Sequence, residues 1–335
     1  VWDLYATVGS RRRHGLTFEP YPKTAPRACR RDAWPSNGGP PGSDLNLIRD
    51  QYLDAYGIEY SIMGPLGITG QGELNGHLAA GLATATNDWQ RYVMTAADRR
   101  LRSAIVVPYE EPEASAREIE RCAGDPAFAQ VFLLTRSSTP LGNPRFWPIY
   151  AAAEKHGFAV ALHAGSSYFQ AVTGSGWPST WIEDYAAQSQ GFHTQVGSLI
   201  SEGVFVKFPK LKVVLAESGV TWLPGYLWRL GKFWRGGRSE VPWLDRPPLD
   251  YARDHIRLTL QPFDGPSGPE AGASMLRLIG QLPSQDMILF STDFPHWQFD
   301  GNEMLPEGLP DDFVRKIIID NARTTYPRLG QGDAP

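Results

Sequence analysis

The sequence predicts an α/β fold, a (β/α)8 barrel of the TIM type, on three observations. From residue 56 onward, seven short apolar runs alternate with segments of helical length. The apolar runs have few polar interruptions, as expected for strands of a parallel sheet that are buried on both faces. Polar residues follow directly after several of these runs, which is where α/β barrels carry their functional groups. Because seven strands are one short of a closed barrel, we expect the first strand to precede Val1.

Each predicted strand is an apolar run that a turn, a proline or a charged residue ends. The strands are predicted, in order, at residues 56–66, 101–108, 128–135, 158–163, 211–216, 256–261 and 286–292. The run 101–108 (LRSAIVVP) is typical, since its final proline cannot donate a ladder hydrogen bond. An open, doubly wound sheet is the alternative, but no Gly-x-Gly-x-x-Gly motif lies between a strand and a helix to favour it.

The segments between these runs have the length and patterning of helices. They are predicted, in order, at residues 44–55, 72–97, 111–122, 145–156, 179–202, 222–235, 268–281 and 311–326. The segment 111–122 is charged and amphipathic, and the segment 145–156 ends before a glycine, as helices commonly do. Regular alternation of strand and helix predicts crossover connections between parallel strands.

Composition excludes several classes of protein. The net charge is -4 and the only basic block is Arg11–Arg13, so binding to nucleic acid is not expected. Two cysteines cannot form a disulfide framework, and no apolar run reaches the ~18 residues that a membrane span requires. We therefore expect a cytoplasmic protein with a small-molecule substrate. The chain begins at Val1 without an initiator methionine, which indicates a processed protein or a fragment.

No shift in composition divides the chain. We expect one barrel domain over residues 1–335, in which residues 1–43 and 236–248 form loops or a lid. Whether the chain forms a homodimer is left open by the sequence.

Polar residues at the ends of three predicted strands form the first candidate site. His163, Glu217 and Asp293 each follow an apolar run, and His296 comes three residues after Asp293. Imidazole and carboxylate groups that converge at one end of a barrel are suitable ligands for a divalent metal such as zinc. The alternatives are a satisfied core histidine at 163, a buried ion pair at Glu217 and a turn cap at Asp293. We predict Asp293, Glu217 and His296 as catalytic residues, and His163 and Asp293 as metal ligands. Glu217 could act as an acid/base or as an additional ligand.

Further candidates lie near the same predicted edge. Arg136 ends a strand and could anchor an anionic substrate or form a surface ion pair. His193 could point into the mouth of the barrel as a catalytic group, or lie on a helix surface. Gln261, Trp177 and Trp297 are predicted to bind substrate, the tryptophans as an aromatic wall, although tryptophan is also common in protein cores.

Several motifs resemble the amidohydrolase-related family that includes aminocarboxymuconate-semialdehyde decarboxylase and the resorcylate decarboxylases. They are Trp147–Tyr150 before Ala159–His163, the segment 203–215, Phe290–Trp297, and Asn321 with Ala322. The resemblance covers residues 44–328 and implies a (β/α)8 barrel of the metal-dependent hydrolase kind. It also implies one divalent metal ion, zinc or another such as manganese, at a site that includes the positions of His163 and Asp293.

Two departures from the family pattern affect the expected chemistry. The family's first-strand ligand pair is absent, so we expect weak occupancy by metal. Glu217 stands where the family usually has an acid/base histidine. We therefore expect a metal-dependent hydrolase that acts on an amide or lactone, with two alternatives: a non-oxidative decarboxylase of a carboxylated ring or muconate-like acid, or a catalytically inactive barrel that binds a small molecule.

Overall fold

Seven parallel strands form the framework of the protein. The structure is a computed structural model that describes residues 28–330, except 66, 68, 167–170, 262, 298–300 and 302–303. The strands are β1 (Ser61–Met63), β2 (Leu101–Val106), β3 (Phe128–Arg136), β4 (Ala159–Ser166), β5 (Val213–Ala216), β6 (Ile256–Thr259) and β7 (Ile288–Leu289). Each pairs with its neighbours in sequence, in the order β1 to β7. The seven predicted strands are confirmed, although β1 and β7 are much shorter than predicted.

Helices connect the strands and cover the outside of the sheet. They are α1 (Leu45–Ile48), α2 (Gly76–Trp89), α3 (Pro112–Cys122), α4 (Trp147–Lys155), α5 (Trp181–Ala186), α6 (Gln188–Ser201), α7 (Val204–Lys207), α8 (Leu223–Gly237), α9 (Pro248–His255), α10 (Ala271–Ile279), α11 (Asp311–Arg315) and α12 (Asn321–Thr325). The predicted helix 179–202 is divided into α5 and α6, and α7 and α9 were not predicted. Side chains cap several helices; Asn75, for example, accepts hydrogen bonds from the first backbone N–H groups of α2.

The sheet curls around an inner cluster of side chains. Ala104, Phe132, Val214 and Leu289, from four different strands, belong to this one cluster, while the alternate residues pack against the helices. Among the described residues, β1 and β7 do not pair with each other. The structure therefore confirms a parallel α/β architecture and shows an open barrel of seven strands.

Side-chain amides from α2 and the turn after it complete the edge of β2. Strand β1 pairs only with Leu101–Ser103. Beyond that point, the Asn87 amide accepts a hydrogen bond from Val106 N at 2.9 Å and donates one to Val106 O at 2.8 Å. Gln90 Nε2 donates to Ala104 O at 3.1 Å. The amides thus satisfy backbone groups that a longer β1 would otherwise have paired.

The segment after α12 packs beneath the sheet. Tyr326 belongs to the inner cluster and Leu329 packs against it, and the Arg328 guanidinium donates to Phe128 O at 3.1 Å and Ala123 O at 2.8 Å. This segment covers the N-terminal ends of the strands and leaves the C-terminal ends open.

A cavity of about 1720 Å³ lies inside the curl and extends along the edges of β1 and β7. Its wall includes inner-face side chains such as Phe132 and Val214, and also the residues that follow the strand ends. None of the described helices has the length and apolar character needed to cross a membrane.

Candidate active site

Four predicted side chains meet in the cavity at the C-terminal ends of β4, β5 and β7. They are His163, Glu217, Asp293 and His296, and each has a side chain between 9% and 15% exposed. Ligand atoms of Glu217, Asp293 and His296 all lie within 4.8 Å of one another. His163 joins them through its Nε2 atom, which is 3.6 Å from Glu217 Oε2.

The His163 ring has a defined tautomer. Its Nδ1 atom lies 2.7 Å from the carbonyl oxygen of Ala164, which can only accept a hydrogen bond. Nδ1 therefore carries the proton and, in the neutral ring, Nε2 has a free lone pair. Because Nε2 faces Glu217, the lone pair is directed at the centre of the cluster.

Asp293 and His296 form the closest pair in the cluster. His296 Nδ1 donates to Asp293 Oδ1 at 2.7 Å, and the His296 backbone N–H donates to Asp293 O at 2.8 Å. Asp293 Oδ2 is buried and has no hydrogen-bond partner among the described residues. The Asp293 carboxylate thus has one oxygen that accepts a hydrogen bond from His296 and one that is available to bind another group.

Glu217 lies between the two histidines. Its Oε1 is 3.6 Å from His296 Nδ1 and, among the described residues, has no hydrogen-bond partner. Its backbone N–H donates to the Thr259 hydroxyl at 3.1 Å, which ties the end of β5 to β6. Two such buried carboxylate oxygens in one cluster are available to share a proton or to bind a cation.

The backbone is unusual at both acids. Glu217 has a φ of 58° and Asp293 a φ of 60°, in the left-handed region that non-glycine residues rarely adopt. The third described non-glycine residue with positive φ is Ala28, whose carbonyl accepts a hydrogen bond from Trp297 N. Strained backbone concentrates at functional sites, and here two of the three residues belong to this cluster and the third contacts the residue after His296.

Burial and proximity shift the ionisation of the cluster in opposite directions. Burial and the neighbouring Glu217 charge raise the pKa of Asp293 to about 8. Burial would also raise the pKa of Glu217, but His163 and His296 outweigh it and lower that pKa to about 2. The hydrogen bond to Asp293 and the nearby Glu217 carboxylate overcome the effect of burial and raise the pKa of His296 to about 11. One acid thus keeps a proton near neutral pH, and a cation would be needed to hold both ionised.

Comparisons with known proteins identify the family. The sequence profile described as Amidohydrolase matches residues 4–328. The chain belongs to the amidohydrolase family. The sequence is 26% identical over 271 residues to gamma-resorcylate decarboxylase from Polaromonas sp. (strain JS666 / ATCC BAA-500), covering 77% of this chain and 79% of the relative. The predicted resemblance, and with it the prediction of an enzyme of the amidohydrolase type, is confirmed.

Solved structures of two decarboxylases share the fold. The crystal structure of 5-carboxyvanillate decarboxylase from Sphingomonas paucimobilis aligns with a TM-score of 0.67 at 22% identity, covering 85% of this chain and 83% of that one. Dihydroxybenzoic acid decarboxylase from Polaromonas sp. JS666, with bound manganese and the inhibitor 2-nitroresorcinol, aligns with a TM-score of 0.66 at 22% identity. That alignment covers 86% of this chain and 89% of the decarboxylase.

The other predicted residues of this amidohydrolase lie at different distances from the cluster. Gln261 lines the cavity, but its amide donates to Met304 O at 3.2 Å and accepts from Phe263 N at 3.0 Å. Trp297 follows His296 and is 47% exposed. Trp177 is half-buried and is not among the residues that line the cavity.

Arg136 and His193 take part in other contacts. Arg136 Nη2 lies 3.1 Å from both carboxylate oxygens of Asp184 in α5, and its side chain is 3% exposed. His193 Nδ1 donates to Ser189 O at 2.9 Å, and its ring centroid lies 4.3 Å from that of Trp222. Neither residue lines the cavity, so the structure does not bring them to the four-residue cluster.

Sequence reasoning missed three residues beside the cluster. Thr259 holds the Glu217 backbone, the Ser291 hydroxyl accepts from Gln261 N at 2.9 Å, and Cys29 forms an isolated strand bridge with His296. Thr259 and Ser291 are polar residues close before a predicted strand end, a pattern that could have identified them. Nothing in the sequence near Cys29 indicates its partner, which is distant along the chain.

Proposed function

We propose that this protein is a metal-dependent, non-oxidative decarboxylase of a carboxylated aromatic ring. The observation that carries the proposal is the buried cluster of two carboxylates and two imidazoles at the C-terminal mouth of an amidohydrolase-family sheet. The names of the relatives support decarboxylation, which the sequence analysis had placed second to hydrolysis.

The donor set fits one divalent metal ion. We propose His163 Nε2 and Asp293 Oδ2 as ligands, because each is an available donor atom in the same cluster. Carboxylate oxygens suit manganese, and imidazole also suits zinc. The manganese in a similar structure makes manganese as strong a candidate as the zinc first expected. When bound, such an ion would polarise an oxygen of the substrate.

The reaction requires one proton. The bond between the ring carbon and the carboxylate breaks, CO2 leaves, and a C–H bond forms at the same ring carbon. We assign the proton to the Asp293–His296 pair, whose 2.7 Å hydrogen bond allows either group to hold it. The largely apolar wall that Phe132 and Val214 provide would hold an aromatic ring and exclude water beside this pair.

Surrounding residues complete the proposed site. We propose that Gln261 and Trp297 contact substrate, since one lines the cavity and the other follows His296. Trp177 stays a candidate on the loop before α5, whereas Arg136 would fix α5 through Asp184. Residues 40–43 line the cavity, and we propose that residues 28–43 form a loop or lid beside it, whereas residues 1–27 of the predicted segment lie outside the described residues.

We further propose that the sheet is part of a (β/α)8 barrel within a single domain. The cavity extends between the edges of β1 and β7, where the eighth strand would lie in a closed barrel. An eighth strand would also pair the edges that the described residues leave open.

A substrate panel tests the proposed function. Protein loaded with Mn²⁺ or Zn²⁺ is incubated with 2,6-dihydroxybenzoate and 5-carboxyvanillate, and CO2 release is measured. We expect turnover that H296Q lowers by roughly 100-fold or more, the size of a typical acid/base contribution. The matched control is H156Q, because His156 pairs with Glu120 away from the cavity.

Other outcomes would contradict decarboxylation. Cleavage of an amide or lactone panel without CO2 release would favour the hydrolase. Ligand binding without either reaction would favour the inactive barrel.

A further inference from the structure

Glu217 replaces the histidine that the resemblance leads one to expect, and its surroundings indicate what it does there. We propose that Glu217 is a metal ligand, beside His163 and Asp293, rather than the group that donates a proton to substrate. The inference rests on the proposed function, because that function requires a metal. What it adds is the role of Glu217, a residue that the family pattern does not have at this position.

The first argument is the direction of the available donor atoms. His163 Nδ1 donates its proton in a hydrogen bond to Ala164 O. In the neutral ring, Nε2 therefore presents a lone pair to Glu217 Oε2, which is 3.6 Å away. A lone pair that faces a carboxylate oxygen is repulsive, and either a proton on Nε2 or a cation between the two groups removes the repulsion. A cation bound by both groups removes the repulsion and uses both donors.

The second argument is that the two carboxylate oxygens of Asp293 have different hydrogen-bond partners. His296 donates to Oδ1, as imidazoles around metal sites often do to a ligating carboxylate, and Oδ2 is left without a partner. Glu217 Oε1 is likewise buried without a partner. With His163 Nε2, the cluster therefore offers three available donors, the number that catalytic metal sites normally take from the protein.

The third argument is charge. Among the described residues of the cavity wall, Arg323 is the only lysine or arginine. Its Nη2 atom lies 3.5 Å from Glu59, so this charge already has a partner. A cation bound between the two buried carboxylates of the cluster would add positive charge at the carboxylates themselves.

The fourth argument is the backbone at the end of β5. Glu217 keeps a left-handed conformation, held by the hydrogen bond from its N–H to Thr259, and Asp293 has the same conformation at the end of β7. The two acids share this backbone conformation, and their carboxylate ligand atoms lie within 4.8 Å of each other. Such an arrangement suits one metal ion that both acids bind better than it suits a Glu217 that donates a proton to substrate.

Binding of Mn²⁺ in the absence of substrate tests the role of Glu217. Free Mn²⁺ is measured by electron paramagnetic resonance during titration of the wild type, E217Q, E217H and D264N. We expect E217Q to weaken binding by more than about 100-fold, beyond the range for loss of an outer-shell partner. E217H should restore binding to within about 10-fold, because imidazole is also a ligand for such ions.

D264N is the matched control. The Asp264 carboxylate lies over Gly219, two residues from Glu217, and burial raises its pKa, yet it is outside the cluster. We expect D264N to bind Mn²⁺ like the wild type. Near-ultraviolet circular dichroism establishes that each variant is folded, and E217H decides the result if E217Q does not fold.

Three outcomes would overturn the inference: wild-type affinity in E217Q, equal losses in E217Q and D264N, or a wild type that binds no Mn²⁺. Turnover of the aromatic acids measures the proposed function separately. Glu217-dependent binding without decarboxylation would refute the proposed function alone, whereas decarboxylation by metal-loaded E217Q would refute the ligand role alone.

Discussion

Acidification should destabilise the protein through His255. This residue ends α9 at the N-terminal side of the sheet and is 2% exposed. Its ring stacks on Phe205 with centroids 4.5 Å apart, and its Nδ1 donates to Leu211 O at 2.8 Å. Burial, aided by the positive charge of Lys212, lowers the pKa of His255 from 6.5 to about 4. The imidazole is therefore neutral in the folded protein at pH values where it is charged in the unfolded chain.

The sign and size of the effect follow from this difference. Between pH 6.5 and about 4 the unfolded chain binds a proton at His255 that the folded protein does not, so the free energy of unfolding falls as the pH decreases. At about 1.4 kcal/mol for each pH unit, the interval amounts to about 3 kcal/mol at pH 4. Above pH 6.5 the contribution no longer changes.

Urea unfolding, followed by circular dichroism from pH 4 to 7.5, measures this contribution. We expect the stability difference between H255Q and the wild type to move by about 3 kcal/mol in favour of H255Q as the pH falls. The control L53A should lose stability at every pH but keep the wild-type slope, because Leu53 is buried in a separate hydrophobic cluster that contains neither His255 nor the residues that its ring contacts. Parallel pH curves for H255Q and the wild type would refute the reasoning.

Three further predictions concern the sheet edge, the metal and α5. Asn87→Ala should lower the free energy of unfolding by about 3–5 kcal/mol, since it leaves buried backbone groups of Val106 unpaired. The helix cap variant Asn75→Ala should lower it by only about 1 kcal/mol. Equal losses of the two variants in urea unfolding would contradict this prediction. Removing Mn²⁺ with a chelator should lower the melting temperature, because Mn²⁺ at about 100 times its Kd adds about 2.7 kcal/mol; an unchanged transition would argue against a metal site. Arg136→Lys should raise KM more than it lowers kcat, through loosening of α5, and a selective loss of kcat in steady-state kinetics would argue against that role.

The sequence was sufficient for the parts of the fold that local pattern determines. Strands buried on both faces are near-continuous apolar runs, and the residues after them share one end of a parallel sheet. His163, Glu217 and Asp293 were brought together on that argument alone. His296 followed because it is only three residues from Asp293.

What the sequence could not supply depends on contacts between distant segments. Arg136 ends a strand as predicted, but its partner Asp184 is 48 residues away on a helix whose position was unknown. The direction of His193 depends on the packing of α6 against Trp222. The short β1 could not be foreseen either, because it requires Asn87 to replace strand pairing with a side chain.

The left-handed conformations of Glu217 and Asp293 have an evolutionary consequence. Each costs roughly 1–2 kcal/mol relative to an ordinary backbone, a cost that glycine would avoid. If selection for activity were relaxed in a gene copy, substitution of either acid would therefore stabilise the encoded protein. Both acids would then be replaced early. The two acids are a trade-off of stability against chemistry, and only continued selection for what the site does would keep them in place.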